Sequence, residues 1–98
     1  MREIKEVVCR IRKELRAADW YAREAAKDKE MYPALAQRYH SLADGNLHRV
    51  DELHGAVTEM IQEVKRSGRE IPTGMLEVWT FEHELLMEDA DEIKRILR

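Results

Sequence analysis

Cysteine is nearly missing from this chain. Cys9 stands alone, so no internal disulfide can form, and a reducing, cytoplasmic setting is expected. A lone cysteine on a helical pattern reads as a small surface residue rather than a nucleophile. Proline and glycine are scarce as well, at two and four in 98 residues, which leaves few places where a regular element must stop. No apolar run approaches the roughly 20 residues that a membrane span needs, and the opening Met1–Glu6 segment lacks the apolar stretch of a signal peptide. Charge of one sign does not accumulate. The 17 basic and 20 acidic residues are interspersed and leave a net charge of −3, which gives no footprint for nucleic acid or for an anionic membrane. There is no Ser/His/Asp order, no glycine-rich phosphate loop and no Cys/His cluster, so the common hydrolytic, nucleotide-binding and zinc-ribbon chemistries have no motif here.

What the chain does contain is helical periodicity, with no strand-like alternation. Ile4, Val7, Val8, Ile11, Leu15, Ala18, Ala22, Ala25 and Ala26 keep helical spacing and predict a first helix over 2–28. Pro33 suits the first turn of a second helix, where its missing N–H costs nothing. That helix is expected to run over 33–66 and to stop at Ser67-Gly68-Arg69, with Gly68 as a left-handed cap. The third helix is expected over 73–97, with Thr73 as N-cap and Met75, Val78, Trp79, Leu86, Ala90, Ile93, Ile96 and Leu97 as its stripe. Asp44-Gly45-Asn46 looks like a turn. Yet Leu35, Tyr39, Leu42 and Ala43 before it share one direction with Val50, Leu53, Val57, Ile61 and Val64 after it. A turn would reset that phase, so one unbroken helix is expected. The fold class is all-α: a single domain, 1–98, of three long antiparallel helices. A chain of this size buries only about 60–65% of its unfolded surface, so a second copy is expected to complete the bundle.

Several polar groups fall where the wheel points inward. Asn46 lies in the middle of the second helix's stripe, Arg49 on its border and His54 on the other flank. Glu14 and Tyr21 share an edge of the first helix, two turns apart. Glu82 and Asp89 fall inside the stripe of the third. Buried carboxylates are rarely left unpaired, so Glu14 and Glu82 should meet either a metal or a cation. Trp20 points away from the first stripe, which suggests a second contact surface. The stripe His40, Asp44, His48, Asp51 and His54 reads as an exposed face.

Glu14-Leu15-Arg16-Ala17-Ala18-Asp19-Trp20-Tyr21 resembles the first-helix motif of the ferritin-like superfamily. In rubrerythrins and encapsulated ferritin-like proteins a metal-binding Glu precedes a Tyr by seven positions. Leu35-Ala36-x-x-Tyr39-x-x-Leu42-Ala43 is similar to the second helix of the same group, and small proteins of this layout occur in phages and prophages. The resemblance implies a bundle with a di-iron site. On it, the family's Glu-x-x-His falls on Asn46 and Arg49, neither of which serves iron. Arg49 is therefore expected to take the metal's place in a polar cluster of Glu14, Asn46, Arg49 and Glu82. No cofactor is expected on this reading. The function expected is a non-catalytic, self-associating scaffold or protein-interaction module, phage-like in type, with a homodimer seam at Trp20 or on the third helix. The alternative is a metal-dependent oxidoreductase or iron-handling protein with iron or zinc held by Glu14, Tyr21, Glu82 and His54.

Overall fold

The computed structural model describes residues 2–71 and 73–98, with only the backbone described at Thr73. The expected capping by the Thr73 side chain, and Pro72 beside it, therefore lie outside what is described. Three helices account for nearly all of the chain: α1 (Arg2–Asp28), α2 (Pro33–Arg66) and α3 (Thr73–Leu97). No strand occurs among the described residues. They form a rod of 57 × 19 × 18 Å between Cα extremes. α1 runs up, α2 down and α3 up. None of the helices is long and apolar enough to cross a membrane.

Helix α1 makes the most extensive contacts of the three. It packs closely along α2 and more lightly along α3, while the backbones of α2 and α3 rarely approach each other. Its buried line, Ile4, Val8, Ile11, Leu15, Ala18, Ala22 and Ala25, changes from bulky to small along its length. Because α2 is antiparallel to α1, the alanine end of α1 lies level with Ala36 and Ala43 at the start of α2, where small side chains let the two helices come close.

Helix α2 continues without a break through Gly45, as the unbroken phase of its apolar residues requires. It starts at Pro33, and it stops because Gly68 turns left-handed at φ 78°. There the amide of Ser67 donates to the Glu63 carbonyl and the amide of Gly68 to that of Lys65. The Ser67 hydroxyl donates to Val64 O at 2.7 Å.

Two expected stripes are only partly covered. Leu35 and Leu42, expected inward on α2, are exposed: neither α1 nor α3 covers that line. On α3, Val78 is exposed and Met75 and Trp79 are half-buried; Leu86, Ala90 and Ile93 are its buried residues. Asp89, expected within the α3 stripe, is exposed.

Candidate functional site

The polar site is built from Glu14 on α1. Its neighbour Arg12, two residues earlier, is about 200° around the helix. Glu14 therefore faces α2 while Arg12 faces α3, and this separation decides which side chains can meet. Asn46 and Arg49, three apart on α2, present themselves to the same side. The Asn46 amide nitrogen donates to Glu14 Oε2 at 2.6 Å, and Arg49 Nε donates to the same oxygen at 3.1 Å.

Asn46 is 5% exposed and is the buried polar residue of the core; its Oδ1 has no hydrogen-bond partner among the described residues. Burial pushes the Glu14 carboxyl up. The hydrogen bonds from Asn46 and Arg49, with the charges of Arg49 and Arg10, outweigh that and hold it below its ordinary value of 4.5. The Arg49 side chain is 55% exposed, so its cation sits at the rim of the core rather than within it. Its guanidinium lies over Gly45: a Cβ built there would stand 3.6 Å from Nη1.

Glu82 does not join this cluster. It accepts from Arg12 on the opposite flank of α1. The expectation that Glu82 completes the Glu14–Asn46–Arg49 group fails because α2 and α3 pack on different edges of α1, and the acid on α3 meets the edge that carries Arg12. The remaining metal candidates are scattered too. Tyr21 stacks on Tyr39 with ring centres 5.9 Å apart. Trp20 meets both rings edge-on, at 5.4 Å and 5.6 Å, and remains 53% exposed. His54 turns toward α3 and lies against Trp79 and His83. The histidine stripe resolves into local contacts, His40 with Asp44 at 3.2 Å and His48 with Glu52 at 3.7 Å. Cys9 is exposed on α1.

Among the described residues, no three His, Cys, Asp or Glu side chains gather closely enough to hold a metal ion. The four candidates Glu14, Tyr21, Glu82 and His54 thus do not fit a di-iron or zinc centre. Glu14, the candidate carboxylate that faces α2, is already engaged by an amide and a guanidinium.

No family model matches this chain, and no curated protein or solved structure is significantly similar to it.

The arrangement is suited to holding rather than to reacting. A carboxylate with two donors on its Oε2 has no free proton to give at neutral pH, and neither donor is a base or nucleophile. What Glu14, Asn46 and Arg49 do is fix the register of α2 on α1, since an axial slip of one turn would strand Asn46 in an apolar row. Sequence reading found these three residues. It missed His83, whose position on one side of α3 gave no sign that His54 would come to face it across two helices.

Proposed function

We propose that this protein is a non-catalytic helical module of ferritin-like descent that acts as a scaffold or interaction unit by pairing with a second copy of itself. The observation that carries the reading is the exposed flank of α1 and α2. Trp20 rests on Tyr39, and Leu35 and Leu42, four residues before Tyr39 and three after it, continue the same surface on α2. Exposed aromatic and aliphatic side chains that are contiguous, rather than scattered, are typical of contact surfaces. Ferritin-like descent is supported by the seven-residue spacing of Glu14 and Tyr21 and by the position of the Asn46/Arg49 pair. The non-catalytic part is supported by Arg49, a fixed cation donating to the carboxylate that would otherwise be a ligand.

Sedimentation equilibrium at tens of micromolar should give about twice the 11.6 kDa chain mass. A protein that sediments as a monomer of 11.6 kDa across that range would overturn the reading.

A further inference from the structure

From Gly74 to Leu85, α3 has no buried residue, and Trp79 packs against the core there from a half-buried position; its buried residues begin at Leu86. The α2 and α3 backbones also rarely come close. Three rings bridge them at this level. Trp79 and His83, one turn apart on α3, face His54 of α2. The ring centres lie 4.6 Å apart for His54–His83, 6.0 Å for His54–Trp79 and 5.6 Å for Trp79–His83. All three residues are half-buried.

We propose that the His54–Trp79–His83 stack is a proton-sensitive clasp, which closes the first half of α3 on α2 when both histidines are neutral and opens when both are protonated. Two imidazolium rings at this separation repel each other. The face of Trp79 can favour one cation but cannot offset the second. The other charges at this level do not reverse the balance. Glu84, next to His83 on α3, draws a proton toward it, but burial and then His54 act more strongly and hold the His83 imidazole below its ordinary 6.5. Asp51, one turn before His54 on α2, is exposed. On the α1 side, Arg12 is a cation already paired with Glu82, and Arg16 and Asp19 border the same groove beside Leu85.

The sign follows from linkage. A histidine whose pKa is lowered in the closed form leaves closure intact above about 6.5, and closure is lost as pH falls through the lowered value. At the opposite end of the α2–α3 contact, His40 has Leu97 O 3.1 Å from Nε2 and Asp44 Oδ2 3.2 Å from Nδ1. Acid therefore releases one end of α3 while Leu86, Ala90 and Ile93 keep the other end on the core.

Amide hydrogen exchange on the intact protein, corrected for intrinsic rates, tests this between about pH 7.5 and about pH 5, a range that spans histidine titration. Protection over 74–85 should fall measurably, while protection over 86–97 holds, because a loss of proton affinity on closure shifts the equilibrium toward the open form in acid. The double variant His54→Gln/His83→Gln, neutral at every pH, should lose this difference. Unchanged protection over 74–85 in the native chain, or the same fall in the double variant, overturns the proposal. Should the double variant not fold, NMR titration of the native histidines decides. Mutually dependent titrations of His54 and His83 support the clasp, and independent ones with His83 at its ordinary value sink it.

Discussion

Asn46 holds the seam between α1 and α2 together, and it is the residue where a small chemical change should have the largest effect. Its amide is the closer of the two donors to Glu14. Asn46→Asp keeps the shape but sets a second carboxylate against the first, and it should cost about 2–3 kcal/mol at neutral pH in urea unfolding. Part of that loss should return on mild acidification, as the new pair takes up a proton. The native chain should show the opposite dependence. The folded-state pKa of Glu14 lies below 4.5, so its contribution is present above 4.5 and disappears as pH falls through the lower folded value. Glu14→Gln should flatten that part of the stability curve. Arg49→Ala should cost only about 1 kcal/mol or less. Its guanidinium is more than half exposed, and water screens an ion pair at the rim. A larger loss, near that expected for stranding a fully buried acid, would show that the Arg49 cation lies deeper than its exposure indicates.

Among the elements, Gly45 within α2 and Gly68 just past its end separate two kinds of reading. Gly45 lies inside a continuous helix, and a Cβ there meets nothing nearer than Arg49 Nη1 at 3.6 Å, an ordinary contact. Gly45→Ala should therefore stabilise the protein by about 0.5–1 kcal/mol, through helix propensity alone. Gly68→Ala should destabilise it by about 1 kcal/mol, because at φ 78° a side chain crowds its own backbone. Thermal melts of the two variants should move in opposite directions; a fall for Gly45→Ala would mean that the Arg49 side chain needs the space over that glycine. Both glycines occur in turn-like settings, Asp44-Gly45-Asn46 and Ser67-Gly68-Arg69. Apolar phase on either side told them apart, because a helix preserves phase and a turn does not. The third helix was less legible. Its stripe predicted burial from Met75 onward, but a stripe records only which face is apolar, not whether a neighbour lies close enough to cover it.

At the scale of the whole molecule, a long three-helix rod leaves apolar surface on two flanks. Trp20, Leu35 and Leu42 lie on the α1–α2 flank, and Val78, Phe81 and Leu85 on α3, with Phe81 62% exposed. The proposed self-association distinguishes between these surfaces. Trp20→Glu should weaken the dimer by about 2 kcal/mol, roughly thirtyfold in Kd, if Trp20 anchors the seam. Sedimentation together with circular dichroism would separate loss of pairing from loss of fold. If Phe81→Glu has this effect and Trp20→Glu does not, the seam lies on α3 instead.

Taken by itself, the amino-acid sequence determined the all-helical class, the three helices, the continuity of α2 through Gly45 and the inward direction of Asn46. Each of these follows from local rules: propensity, caps, and the roughly 100° step that sorts side chains onto faces. It also put Glu14, Asn46 and Arg49 at compatible positions, because facing residues on two adjacent antiparallel helices can be matched from their phase. Only the tertiary structure decided which edge of α1 each of the other two helices takes. That placement sends Glu82 to Arg12 instead of to Glu14, leaves Leu35 and Leu42 uncovered, and brings His54 against His83. The reason is geometric. A helical wheel fixes the direction of a side chain about its own axis, but which neighbour stands in that direction depends on the order in which three helices pack side by side.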